Sequence, residues 1–564
     1  MLLDIASTVH PLQSAIMADP SPIAYAQLLD LLPEGLSLAA TGFSQKVTCL
    51  SEAVAVLSPM VTGSLVASLL TLLFLVIRFL VPRGASYAKF PLATLDGEDP
   101  KSSWFHHGRK LMIVALAKFN NRPFKVLTGT GPKIIVPNHF AKELRNHPSL
   151  NFNKAFVHDF FPSYPGMEPL AEFSAHDSIT AETIRTKLTQ SLGLVTEDLV
   201  DETTTALVDL FGDKFDNEWR TVVLKNSVLD FVARLSSRVF LGKDLCREPR
   251  WLEIARTYAV DAVHATFAFR MIPPIVRPIA HWFMSEFGRC RKAVKDAHKM
   301  IDKEVVKRKA RVDECLKAGK TPPKMADTIG WMHETAMMRK TKVDYVAAQL
   351  SLTMAAIHTT TEVTCQAIFD IIDHPEVLQP LRQEIIEVIS KHGWAKTTLY
   401  HLKLMDSFLK ESTRHRPRNL AVVNRMVEAD VTLSDGTVLP KNSLCIVLAD
   451  FSDPQVYPEP EKFDPWRFLK ARERPGEENA WHMVTVAPEQ MTFGIGQHAC
   501  PGRFFAANEV KIALCHMLLK YDWQWVPGKG RPESSRFELE DSISTTGEVQ
   551  FRRRREEINL DIDF

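Results

Sequence analysis

Between Phe493 and Gly502 the chain reads FGIGQHACPG, a stretch that few local folds accommodate. Gly494, Gly496 and Gly502 permit backbone conformations closed to other residues, and Pro501 removes an amide donor where a helix, RFFAANEVKIALCHMLLKYDW, is predicted to begin. Cys500 therefore sits in a glycine-shaped loop at a helix N-terminus. Free amide N–H groups and the helix dipole at such a place lower a thiol's pKa and stabilise its anion. A thiolate held this way and open on one side suits a metal ligand, and it meets the needs of a haem iron with an axial cysteine. Two other readings are weaker. GIGQHA also fits the GxGxxA of dinucleotide folds, but no preceding strand or βαβ unit is evident. His498, Cys500, Cys515 and His516 lack the paired spacing of a zinc site.

The rest of the chain sets the frame. Its 564 residues carry a formal charge of +1, which gives no support to nucleic-acid binding. The basic run Arg552 to Arg555 is followed by Glu556 and Glu557, and it reads as a solvated surface segment. Eight cysteines, none at CxxC spacing, read as reduced thiols. Val54 to Ile77, VAVLSPMVTGSLVASLLTLLFLVI, holds no charged side chain and is longer than the roughly 20 residues a hydrocarbon core requires. Acidic residues dominate before it, and Arg78, Arg83 and Lys89 follow it. The positive-inside rule then predicts a lumenal segment over 1–53, a transmembrane anchor over 54–80 and a cytoplasmic domain over 81–564.

After the anchor, VPRGASYAKFPLATLDGEDP reads as a linker. Helical periodicity runs through Asn226 to Leu241 and Glu286 to Lys309. Val343 to Ile372 is apolar on nearly all faces and ends at His374-Pro375, which predicts a helix buried through the middle of the domain. NRMVEADVTLSDGTVLPKNSLCIVLA alternates and turns at Ser434-Asp435-Gly436, so a small hairpin-based sheet is expected there. The fold class is mainly α with a minor β-sheet. Within the long helix, AAIHTTTE places three threonines where their β-branching carries a propensity cost. Either their hydroxyls are satisfied by helix carbonyls or the conflict marks a functional site.

Phe493, Gly496, Cys500 and Gly502 reproduce FxxGxxxCxG, and in this the chain resembles the cytochrome P450 family. Three further elements occur in the family's order. Glu411 and Arg414 in KESTRHRP match its ExxR motif, FDPWRF matches its PERF-like segment, and AAIHTT matches its AGxDTT pattern. AAIHTT, MDSFLKES, TLSDGT and HACPGRFFAANEVK look more closely like the fungal ent-kaurene oxidase-like group of secondary metabolism. The resemblance implies a cytochrome P450 fold with an N-terminal transmembrane helix, and haem b axially ligated by Cys500. It implies that Glu411 and Arg414 are buried with Arg467 as structural support, and that Thr359 relays protons to oxygen. His358 stands where the family commonly has an acid that brings protons in, a service an imidazole with an unperturbed pKa near ~6.5 could perform unless it faces away and only packs or salt-bridges, and His498 stands where the family often has an arginine for a haem propionate. The family's WxxxR contact is poorly matched: Arg185, with Ala181 in place of the tryptophan, is one candidate and Arg425 a better one.

The implied reaction is hydroxylation or oxidation of a small hydrophobic terpenoid or polyketide-derived scaffold, using O2 and NADPH. Only 62 residues follow Gly502, so electrons are expected from the flavins of a separate NADPH-cytochrome P450 reductase. The implied location is the endoplasmic reticulum membrane. Rearrangement without net hydroxylation, or a non-catalytic haem sensor, are the alternatives.

Overall fold

Side-chain caps and apolar periodicity set the helices of this computed structural model, which describes residues 87–561 apart from 176, 322–324 and 396, together with the isolated positions 68 and 71. The principal helices are α1 (Pro100–Lys118), α2 (Phe152–Phe160), α3 (Leu192–Phe211), α4 (Leu224–Leu241), α5 (Pro249–Arg270), α6 (Ser285–Lys317), α7 (Thr328–Arg339), α8 (Tyr345–Asp373), α9 (Leu378–His392), α10 (Lys403–His415) and α11 (Arg503–Lys520). Asp99, Asn151, Asp327 and Asp344 cap α1, α2, α7 and α8 by accepting from the first free amides. The predicted central helix is α8. It packs against α4, α5, α6, α10 and α11, and the core residues of these helices form one continuous apolar cluster.

The strands are β1 (Phe124–Thr128), β2 (Gly131–Val136), β3 (Leu150–Asn151), β4 (Arg220–Val223), β5 (Ala421–Val427), β6 (Val431–Thr432), β7 (Val438–Leu439), β8 (Leu444–Leu448), β9 (Tyr521–Trp525), β10 (Ser535–Phe537), β11 (Glu540–Ser542) and β12 (Glu548–Arg553). The largest sheet has the order β1-β2-β8-β5-β3. Its centre is β8, LCIVL, buried at every position, as a strand covered on both faces must be. The expected hairpin is present as β6 paired with β7, with Gly436 at φ 84 in the turn.

Three expectations change and a fourth goes untested. Residues 87–100 are no linker: Phe90, Ala93 and Leu95 are buried, and Leu444 N donates to Tyr87 Oη at 2.9 Å. The helix after the cysteine loop stops at Lys520, and Tyr521-Asp522-Trp523 continues as β9 because it pairs with β12. The basic run is not a solvated segment. Arg553 is 5% exposed and bonds Asp213 and Glu556, and Arg552 lies over the Trp219 ring. The anchor expected over 54–80 lies outside the described residues except at 68 and 71, and among the described residues no helix is long and apolar enough to cross a membrane.

Candidate functional site

The cysteine loop is built by its glycines. Gly494 and Gly496 hold φ of 76 and 70, in the left-handed region, and a Cβ on Gly496 would stand 2.3 Å from Asn146 Oδ1 and 2.8 Å from Arg145 O. The close approach has a use, since Asn146 Oδ1 accepts from Gln497 N at 2.8 Å. Cys500 N donates to Phe493 O at 2.8 Å, which closes the loop, and Gly502 caps α11. The half-buried thiol thus lies at the helix start, as predicted. Burial nonetheless pushes its pKa up, against the opposing amides of Gly502 and Arg503, so the expected lowering does not prevail for the thiol alone. A bound metal cation would supply the rest, because a coordinating thiol is deprotonated outright. The dinucleotide reading fails, since a 3-10 turn (Met491–Phe493) and no strand precedes GIGQHA. No cluster of three metal-ligating side chains exists among the described residues.

Beneath the loop, Glu411 is fully buried and receives both arginines. Arg414 Nε and Nη2 donate to it at 2.7 and 2.9 Å, and Arg467 Nε reaches both its oxygens at 3.1 Å. Asp464 N adds a further bond at 3.0 Å. The arginines spend their other donors on the carbonyls of Phe451, Pro460, Glu459 and Lys462. Arg414 also underlies the Tyr457 ring, whose hydroxyl donates to Glu489 O, four residues before Phe493. The three charges therefore brace the segment that enters the cysteine loop.

Midway along its otherwise largely buried length, α8 leaves Ala355 exposed and Thr359 partly exposed. The Thr359 hydroxyl donates to Ala355 O at 2.8 Å and to Ala356 O at 3.1 Å. His358 turns away from the role of a titrating acid. Its Nε2 lies 3.0 Å from Arg256 O on α5, and burial lowers its pKa to about 4, so the expected titration near 6.5 is corrected.

Arg425 is 3% exposed, its pKa is pushed down to about 10 by burial, and it has no carboxylate partner among the described residues. It lies over the Phe152 ring, and His498 packs on the same ring at 5.5 Å. A cleft of about 920 Å³ opens there, lined in part by Phe152, Gln497 and His498. A buried guanidinium without an anion, sharing an aromatic ring with a histidine of the cysteine loop, fits a propionate-bearing haem. Arg185 is placed differently. It lies in a π-turn (Ile184–Leu188) whose Ile184 packs 3.7 Å from the Cβ position of Gly502, but its own side chain is exposed.

Sequence reasoning missed Glu509 of α11, a fully buried acid whose pKa is raised to about 8. Its only signal was an acid on an apolar helix face.

A helical fold with a braced cysteine loop at a helix N-terminus, and a central helix that leaves one turn exposed, defines a haem-thiolate protein. The Cytochrome P450 family model matches residues 106–550, and the chain belongs to that family. It is an enzyme, grouped with fungal cytochrome P450 monooxygenases. Cytochrome P450 monooxygenase bsc2 of Alternaria brassicicola is 41% identical over 85% of this chain and 92% of its own. Cytochrome P450 monooxygenase 1 of Gibberella fujikuroi is 40% identical over 78% of this chain and 99% of its own. Among solved structures, retinoic acid-bound cyanobacterial CYP120A1 has a TM-score of 0.62 at 18% identity, covering 83% of this chain and all of that one, a likeness in fold.

Proposed function

We propose that this monooxygenase hydroxylates or oxidises a hydrophobic secondary metabolite, of terpenoid or polyketide-derived skeleton, with O2 and with NADPH electrons delivered by a separate reductase. The observation that carries the reading is the seat of Cys500, a half-buried thiol with the Gly502 and Arg503 amides turned toward it, in a loop braced through Tyr457 and Glu489. Haem held there by Cys500, Arg425 and His498 supplies the oxygen chemistry, and Arg185 is the further candidate for a propionate. Phe493, Gly496 and Gly502 shape the loop, and Glu411, Arg414 and Arg467 hold it in place. Thr359 holds the water that relays protons, since a hydroxyl both donates and accepts. His358, kept neutral, fixes α8 to α5 rather than carrying protons. Membrane attachment through 54–80 at the endoplasmic reticulum, with the catalytic bulk cytoplasmic, completes the reading, supported by the uncharged run and its basic flank.

The test is the reduced carbonyl spectrum. The wild-type protein gives the red-shifted Soret band of thiolate ligation and Cys500→Ser loses it; a variant that keeps the band overturns the assignment. In membranes with the cognate reductase, a product richer in oxygen supports oxygenation. A product of unchanged oxygen content supports rearrangement, and absence of turnover supports a sensor.

A further inference from the structure

Three threonines on α8 spend their hydroxyls in the same way. Thr359, Thr361 and Thr364 each donate to the carbonyl four residues earlier, at 2.8, 2.8 and 2.9 Å. Thr360 does not, although it is buried, and its Oγ1 has no hydrogen-bond partner. What faces it is the carboxyl of Glu509, whose Oε2 is likewise buried and unpartnered. The other oxygen, Oε1, accepts from Ser236 Oγ of α4 at 2.7 Å. One side chain of the helix that opens at the cysteine loop thereby meets both α4 and the helix carrying Thr359.

No base answers this acid from any of the three helices. On α4, Arg234 is bound to Glu202 and Asp209, Arg238 to Asp198 and Asp201, and Lys225 to Glu362 of α8. On α11, Lys511 is bound to Asp406, and Arg503 donates to Cys500 O. Ser236 and Thr360 are the groups that act on the carboxyl, and burial outweighs both. A carboxylate would have acceptors only, whereas the acid form has one O–H to give. A Thr360 O–H given to Oε2 would pair the same two atoms, so it is full burial without a counter-cation that favours the acid form, whose own O–H on Oε2 then meets the Thr360 hydroxyl.

We infer that Glu509 is a positioning residue of the site: as a neutral acid it accepts from Ser236 and donates to Thr360, fixing the turn of α8 that carries Thr359. This rests on the reading of Thr359 as the relaying hydroxyl. The device suits this chain, because His358 is bound to a carbonyl of α5 and offers no second hold on that turn from the α11 side. Ionisation of Glu509 reverses that bond, with Thr360 donating, and sets a charge against the turn that carries Thr359.

The test uses infrared spectroscopy of the purified protein, with carbon monoxide as the probe. At pH 7 a protonated-carboxyl stretch, shifted in heavy water, is present in wild type and absent in Glu509→Gln, and it fades as pH passes about 8. In the ferrous carbonyl complex, Glu509→Leu and Thr360→Val shift the C–O stretch in the direction that Thr359→Val does. Glu509→Gln, whose amide still accepts from Ser236 and donates to Thr360, restores the wild-type stretch and holds it above pH 8, where wild type shifts. Absence of the carboxyl band at pH 7, or an unmoved C–O stretch in Thr360→Val, overturns the inference; Thr360→Val carries the test if Glu509→Leu does not fold. The carboxyl band is read without haem, so it stands apart from the outcome of Cys500→Ser.

Discussion

His358 Nε2 donates to the carbonyl oxygen of Arg256 across 3.0 Å, joining α8 to α5. The ring is neutral because burial lowers its pKa to about 4. Between an unfolded value near ~6.5 and 4 the unfolded chain binds more protons, so the stability this residue confers is complete above about 6.5 and is lost as pH falls through 4. The loss amounts to about 3 kcal/mol at 1.36 kcal/mol per unit. His358→Asn is expected to flatten the acid limb of thermal stability between pH 6.5 and 4, and to leave the pH profile of turnover between 6.5 and 8 without a lost inflection. An inflection near 6.5 that vanishes in the variant would restore the histidine to proton delivery.

Gly496→Ala tests the loop. A methyl group there meets Asn146 Oδ1 and Arg145 O, at a φ of 70 that costs about 1–3 kcal/mol for such a residue. The expected outcome is a protein that folds but retains little haem, read as the ratio of Soret to protein absorbance. A normal ratio would show that the loop yields.

Removing Glu411 leaves Arg414 and Arg467 buried without their anion. Glu411→Ala is expected to lose roughly 3–5 kcal/mol, with haem content and soluble expression falling together. Intact haem content with slowed turnover alone would instead assign the carboxylate to catalysis.

Lys410, beside that acid, is 6% exposed, donates to His482 O at 2.9 Å and faces the Phe468 ring. Burial lowers its pKa from 10.5 to about 7, so between these values the unfolded chain holds the proton more tightly. Stability therefore rises with pH from 7 to about 10. Lys410→Met is expected to lack that slope and to match or exceed wild type in melting temperature at pH 7, measured against wild type at pH 9.

The central helix was legible to within two residues, because an apolar run ending at His374-Pro375 leaves little choice of boundary. The loop was legible from residue type and spacing, since a left-handed glycine is a local fact, whereas the buried brace came only with the family resemblance, because an ExxR pair by itself reads as a surface ion pair. What sequence hid was tertiary. Whether Phe90 packs or dangles, whether Arg553 is wet or buried, and whether Tyr521 prolongs a helix all depend on partners far along the chain, Asp213 and β12 among them. The pKa of His358 was hidden for the same reason: burial between helices distant in sequence lowers it, against the opposing pull of the Arg256 carbonyl, and neither shows in the residue itself.

The parallel pairing of β2 with β8 sets Ile134 beside Cys445, about 310 residues further on. At roughly 5–20 residues per second of synthesis, β2 waits on the order of 15–60 s for the strand that completes it. Closing so long a loop costs entropy before any contact rewards it. During that interval β2 has only β1 as a neighbour and presents an apolar edge, IIV, to whatever else is in the vicinity. Yield in a heterologous host is thus governed by how well that edge is shielded while the ribosome is still at work, and slower elongation lengthens the exposure rather than easing it.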